Sequence, residues 1–237
     1  MGARAENGAH HSRVLAYLQL SRISNLPTVW SDVLAGIVVA GSPAVSNEVV
    51  RLASAVSLMY TGGMFLNDAF DVPFDSIHRR DRPIVIGAVA RGEVFAIGFS
   101  LLAVGVLSLG SSNATAWGLA LACAIVFYDW RHKQNALGPF VMGSCRGLVY
   151  CVAASATGGI GPRVFVAAIV LTLYVVATTW IAKRVGQRAG MLVPLLIAGI
   201  SLVDAVVIVV AGGGMLALTA VGAFLATLAL QRVVAGT

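Results

Sequence analysis

Four of the ten acidic residues of this 237-residue chain fall in one short run, NDAFDVPFDSIHRRD. They are Asp68, Asp71, Asp75 and Asp81. On a helix, Asn67, Asp71 and Asp75 are spaced by four residues and share one face, with Asp68 beside it. Clustered carboxylates repel one another unless a cation neutralises them, and hard oxygen ligands suit Mg²⁺. The spacing therefore predicts a magnesium site built from Asn67, Asp68, Asp71 and Asp75.

Basic residues follow the acids directly, in the sequence HRRDRP that ends at Pro83. Guanidinium groups bind phosphate oxygens through charge-assisted hydrogen bonds, so acids beside arginines favour a metal-bridged diphosphate with Arg82 among its donors. The alternative is a solvated loop whose charges pair only with one another. Pro73 is expected to bend or end the helix near Val72, which would move Asp75 off the shared face.

A second polar stretch, FYDWRHKQN, covers residues 127–135. Lys133 and Arg131 are suited to phosphate oxygens, and Asp129 or His132 could take a proton from an acceptor molecule. The alternative interpretation is an interfacial belt of aromatic residues with snorkelling cations.

The rest of the chain determines which elements can carry these groups. Hydrophobic residues make up 58% of it and charged residues only 11%, whereas a soluble domain has about 25% charged residues. This composition excludes a disordered chain, a nucleic-acid module and an ordinary soluble enzyme. It predicts a membrane protein in a lipid bilayer. Helices are expected, because backbone groups in lipid must be hydrogen-bonded internally and barrel strands would alternate in polarity.

We therefore predict an all-α, polytopic transmembrane helical bundle of about eight spans. Residues 1–13 form a mobile polar tail, and residues 14–237 form a single transmembrane domain. The predicted spans are 26–41, 47–72, 91–110, 113–128, 137–157, 163–182, 190–211 and 213–232.

With an even number of spans, both termini lie on one side of the membrane. Nearly all of the 16 Lys and Arg residues fall on that side, and only Arg51 and Arg163 fall on the other. The positive-inside rule makes the basic side cytoplasmic, so loop topology explains the net charge of +6 and no nucleic-acid partner is expected.

Three ionisable residues, Asp32, Arg146 and Asp204, lie inside predicted spans. Charges at this depth are costly and usually face the bundle interior, so each is a functional candidate. Arg146 is placed to reach an anion in a cavity. Asn25, seven residues before Asp32, is expected to face the same cavity. For Asp204 we favour a structural or pathway role with pairing across helices.

The sequence resembles the UbiA superfamily of intramembrane prenyltransferases. NDAFDVPFD is similar to that family's first aspartate-rich motif, NxxxDxxxD, and DRPIVIGAVA is similar to its basic "RP…G" loop. Arg22 and Asn25 fit its opening R-x-x-N pattern. The block YDWRHKQNALGPFVMGSCR resembles the divergent EboC-like branch of the superfamily.

The resemblance implies a UbiA-like fold and transfer of a prenyl group from a prenyl diphosphate to an unknown aromatic or other nucleophilic acceptor. It implies that Asn67, Asp71 and Asp75 hold Mg²⁺. The implied catalytic residues are Asp71, Asp75, Lys183 and Tyr150, with Tyr150 and Tyr174 shielding the allylic cation. The implied diphosphate-binding residues are Arg22, Asn25, Arg82, Lys133 and Arg146.

The sequence departs from the family at the second aspartate motif, which is expected at the end of the sixth span. Lys183 and Gln187 stand there in place of acids, although GQRAG resembles the usual GDRxxG. Either Lys183 and Arg184 supply positive charge to the diphosphate directly, or ionisation has been lost. The alternative function is therefore a non-catalytic isoprenoid-binding or transport-associated membrane protein.

Overall fold

The computed structural model describes residues 13–44, 46–131, 137–186 and 190–234, and it is helical throughout, with no strand in these ranges. Residues 1–12 of the predicted tail, His132, Lys133 and Gln187 lie outside these ranges. The helical residues 13–21 precede the first predicted span. The helices are α1 (13–21), α2 (Leu26–Val39), α3 (Ser46–His78), α4 (Arg91–Leu107), α5 (Ser112–Arg131), α6 (Gly138–Thr157), α7 (Pro162–Val185), α8 (Leu192–Ala198), α9 (Ile200–Val210) and α10 (Ala217–Leu230).

Each of the eight predicted spans overlaps helical structure, with α8 and α9 together forming the seventh. By length and composition, four stretches of the described chain are long and apolar enough to cross a membrane. They are Asn47–His78, Gly138–Thr157, Pro162–Val185 and Leu192–Val210. A shorter apolar helical stretch covers Gly214–Leu230. The predicted all-α membrane bundle is confirmed.

The end of α3 differs from the sequence prediction. Pro73 was expected to bend or end the helix near Val72, and the second of these outcomes was wrong, because the helix continues through Pro73 to His78. Proline lacks an N–H and leaves the carbonyl four residues earlier without its helical donor. That carbonyl belongs to Ala69, and it accepts a hydrogen bond of 2.8 Å from Nε of Arg91 at the start of α4. The acid motif therefore stays on one continuous helix.

Helix α2 lies at the centre of the bundle, packed against α3, α6, α9 and α10. Its apolar side chains are buried on several faces, as the consecutive residues Val33, Leu34 and Ala35 show. Glycines let the surrounding helices approach closely. A Cβ at Gly62 of α3 would lie 2.7 Å from the carbonyl oxygen of Gly98 in α4. These contacts fix which helix faces meet.

The connection between α1 and α2 is tight and strained. Arg22 adopts a left-handed conformation with φ of 44°, which is uncommon for a residue other than glycine. A 3-10 turn over Ile23–Asn25 follows, and Pro27 lies in the first turn of α2, where its missing N–H has no helical partner to lose. Such strain persists where the surrounding contacts over-determine the backbone. Arg22 is held by its side chain, as described next.

Candidate functional site

Charged side chains meet at one end of the bundle, formed by α1, the end of α3, the start of α4 and the end of α5. We call this the basic end. Arg22 donates a hydrogen bond of 3.0 Å to Oδ1 of Asp68, and the Arg82 guanidinium lies 3.9 Å from Oδ2 of the same carboxylate. Asp68 is only 5% exposed. Two residues predicted to bind diphosphate thus flank one residue predicted to bind metal.

A second contact joins α3 to α5. The amide nitrogen of Asn67 donates a hydrogen bond of 3.1 Å to Oδ1 of Asp129, and both residues are buried. The other oxygen of Asp129 is buried without a hydrogen bond, and so is Oδ2 of Asp68. We refer to Arg22, Asn67, Asp68, Arg82 and Asp129 as the basic-end cluster.

The predicted metal ligands share one helix, but they do not form a ready-made metal site. Asp71 is half-buried and Asp75 is buried. As the side chains stand, no three His, Cys, Asp or Glu residues of the described chain lie close enough to hold a metal ion. The donor chemistry still fits Mg²⁺. Asp68 and Asp129 each have one buried oxygen without a hydrogen bond, and carboxylate oxygens are the hard ligands that this cation prefers.

The two predicted catalytic or diphosphate-binding residues of α6 belong to a deeper cluster. Arg146 donates a hydrogen bond of 2.5 Å to Asp32 and another of 3.0 Å to the hydroxyl of Thr28. Tyr150 is fully buried, and its hydroxyl donates a hydrogen bond of 2.6 Å to Asp204.

Asp204 is bonded from a second side. Its other oxygen accepts a hydrogen bond of 2.5 Å from Ser31 of α2, which agrees with the predicted pairing across helices. This cluster, which we call the polar core, thus ties α2, α6 and α9 together. Its members are Thr28, Ser31, Asp32, Arg146, Tyr150, Ser201 and Asp204.

Tyr60 connects Asn25 to the polar core, and sequence reasoning missed it. Its hydroxyl accepts a hydrogen bond of 3.3 Å from Asn25, and its ring lies 5.5 Å from the Arg146 guanidinium. Gln231, beyond α10, donates a hydrogen bond of 3.0 Å to the side-chain oxygen of Asn25. Neither Tyr60 nor Gln231 is charged or belongs to a sequence motif, so only the helix packing shows that they contact Asn25.

Lys183 belongs to neither cluster. It is exposed near the end of α7, and among the described residues it makes no hydrogen bond or ion pair. Tyr174, the other residue expected to shield a cation, donates a hydrogen bond of 2.9 Å to the carbonyl of Leu196.

An apolar helical bundle with acids and arginines gathered at one end is the architecture of a helical membrane protein. The chain belongs to the UbiA prenyltransferase family, whose sequence model matches residues 26–236. The family predicted from the aspartate-rich motif is therefore confirmed.

Curated relatives carry the name digeranylgeranylglyceryl phosphate synthase. The relative from Methanopyrus kandleri is 29% identical over 137 residues, which cover 55% of this chain and 50% of the relative. The relative from Ignicoccus hospitalis is 32% identical over 117 residues, covering 49% and 38%. The matched region thus spans half or less of the length of these relatives.

Two solved structures are similar to the fold. One comes from work on digeranylgeranylglyceryl phosphate synthase in membranes, with a TM-score of 0.60, 18% identity and coverage of 93% of this chain and 88% of the other. The other is the apo structure of a UbiA homolog from Aeropyrum pernix K1, with a TM-score of 0.59, 18% identity and coverage of 90% and 94%. At this identity they establish the UbiA fold.

Proposed function

We propose that this protein is an intramembrane prenyltransferase that binds a prenyl diphosphate at the basic end and transfers the prenyl group to a nucleophilic acceptor. The observation that carries the proposal is the convergence of Arg22 and Arg82 on the buried carboxylate of Asp68. Guanidinium groups already held in place are suited to diphosphate oxygens. The apolar helices around them suit the prenyl chain.

Asn67, Asp68, Asp71 and Asp75 are the residues proposed to hold Mg²⁺. When bound, the ion would neutralise the charge that develops on the departing diphosphate. The residues of the chain act on the same charge, since Arg22 and Arg82 bind and orient the phosphate oxygens.

The transfer breaks the bond between C1 of the prenyl chain and the diphosphate oxygen, and the electron pair leaves with the diphosphate. The acceptor then forms a new bond to C1 and loses a proton. Apolar surroundings keep water from the carbocation. Because the curated relatives are named for glyceryl phosphate, a glyceryl phosphate lipid is the first acceptor to try beside aromatic ones.

Lys183 is proposed to supply positive charge to the diphosphate in place of the acids expected at the second motif. Its exposed ammonium group is bound to no other described residue, which leaves it available for an anion. We expect Lys183→Gln to weaken prenyl diphosphate binding about tenfold, measured by isothermal titration calorimetry in nanodiscs. An unchanged affinity would remove Lys183 from the site.

The basic end is proposed to face the cytoplasm, because Lys and Arg are concentrated there and the positive-inside rule places such loops inside the cell. A cysteine introduced at Arg79 should react with an impermeant thiol reagent only in inverted membrane vesicles. Labelling in right-side-out vesicles would reverse the orientation.

The second candidate is a non-catalytic protein that binds or moves an isoprenoid molecule. The observation in its favour is that no three metal-binding side chains of the described chain are close together. It predicts diphosphate binding without release of inorganic diphosphate.

The decisive experiment separates these functions. Purified protein in nanodiscs is incubated with labelled geranylgeranyl diphosphate and Mg²⁺, and both binding and released diphosphate are measured. We expect Asp71→Asn, or EDTA, to lower release at least about 100-fold, because a charge that acts on the transition state is lost. Asp81→Asn is the matched control, since Asp81 is an exposed acid just beyond the same helix.

Release no higher than that of the Asp71→Asn variant, with binding retained, would favour the non-catalytic protein. Binding unchanged by EDTA would contradict the metal site.

A further inference from the structure

Asp129 is a buried acid at the end of α5 that faces the acid motif of α3 from another helix. It is only 4% exposed, and one of its oxygens accepts the Asn67 hydrogen bond. The other oxygen is buried and has no hydrogen bond. A buried carboxylate oxygen without a donor is unfavourable, because it has lost its hydrogen bonds to water and gained none in return. This oxygen is therefore suited to a ligand that the apolar helices do not supply.

The charges around Asp129 indicate what that ligand is. The negative charges of Asp71 and Asp68 act electrostatically on its carboxylate. Arg22, a cation that also acts on Asp129, is already hydrogen-bonded to Asp68. An additional buried carboxylate beside the motif stays ionised only if a further cation neutralises it, and oxygen ligands suit a divalent metal ion.

The hydrogen bond between Asn67 and Asp129 has a second consequence. A carboxylate kept ionised by a cation can only accept, which matches the Asn67 amide as it stands: its nitrogen donates to Asp129, so its oxygen is directed elsewhere. A metal-binding amide needs its oxygen turned toward the ion. Residues that orient a metal ligand in this way contribute to metal affinity.

We infer that Asp129 is a further member of the magnesium site: its unbonded oxygen binds the cation and its other oxygen orients Asn67. This inference rests on the proposed function. A carboxylate donated by α5 would take over part of the role of the acids that the second motif lacks at Lys183 and Gln187. The chain would then build its cation site from α3 and α5.

The test uses Mn²⁺ as a probe for Mg²⁺, measured by electron paramagnetic resonance on full-length protein in nanodiscs with a non-ionisable prenyl thiodiphosphate. Asp129→Asn keeps an oxygen that accepts the Asn67 hydrogen bond but removes the charge. We expect it to weaken Mn²⁺ binding about 10- to 100-fold, the range for lost outer or supporting ligands. Asp81→Asn, the exposed control, should bind as the wild type does.

Equal Mn²⁺ affinity in Asp129→Asn and wild type would overturn the inference and leave the proposed function standing, provided that Asp71→Asn still loses binding. A wild-type protein that binds no Mn²⁺ would overturn both. If Asp129→Asn does not fold, Asp129→Ser replaces it and is judged in the same way. Mn²⁺ binding weakened at least about tenfold supports the carboxylate ligand, and wild-type affinity contradicts it.

Discussion

The polar core and the basic-end cluster contain similar residues but differ in how their charges are satisfied. In the polar core, Arg146 donates two hydrogen bonds and Asp204 accepts hydrogen bonds on both oxygens. Only one oxygen of Asp32 there is buried without a hydrogen bond. At the basic end, Asp68 and Asp129 each keep an unbonded buried oxygen.

This difference distinguishes a cluster that holds helices together from a cluster that is built to bind something else. The three helices of the polar core are bonded through one another's side chains, so its removal should affect folding. The basic-end cluster has spare acceptors, so its removal should affect ligand binding first. Three substitutions test this division.

The largest effect on stability is expected for Arg146→Leu. The substitution leaves Asp32, which is fully buried, without its ion-pair partner. Breaking a buried pair on one side destabilises by about 3–5 kcal/mol. The measurement is unfolding in mixed detergent micelles. The double variant Arg146→Leu/Asp32→Leu should regain most of the loss, and a double variant as unstable as the single one would contradict the pairing argument.

A smaller effect, on binding, is expected for Arg22→Gln. It removes a charged donor from Asp68 and, in our proposal, from the diphosphate. Loss of a charge-assisted hydrogen bond predicts prenyl diphosphate affinity lower by about 10- to 100-fold, read by calorimetry. Arg13→Gln is the control, because Arg13 bonds Glu93 at an exposed position. If both variants bind equally well, the basic-end cluster is not the diphosphate site.

The smallest effect is expected for Tyr150→Phe, which keeps the aromatic ring and removes the donor to Asp204. Loss of this hydrogen bond to a charged acceptor should destabilise the fold by about 1–3 kcal/mol. Diphosphate release should stay near the wild-type rate, because a ring that shields a carbocation is still present. A large loss of release with unchanged stability would instead give the hydroxyl itself a role in the reaction.

Some features were predictable because they depend on composition or on local spacing. The membrane helices follow from long apolar runs, and the shared face of Asn67, Asp71 and Asp75 follows from the helical repeat. The family also follows from this motif. The roles assigned to the individual site residues remain predictions.

Other features depend on contacts between residues distant in the chain, which only the tertiary structure decided. Arg146 and Asp32 are 114 residues apart, and their ion pair depends on the rotation of α6 against α2, which neither helix sequence determines. Likewise, Pro73 by itself predicts that α3 bends or ends near Val72. The helix continues because Arg91, 22 residues beyond Ala69, donates to the carbonyl that proline leaves without a donor. Local spacing determines which residues share a helix face, whereas helix packing determines what that face meets.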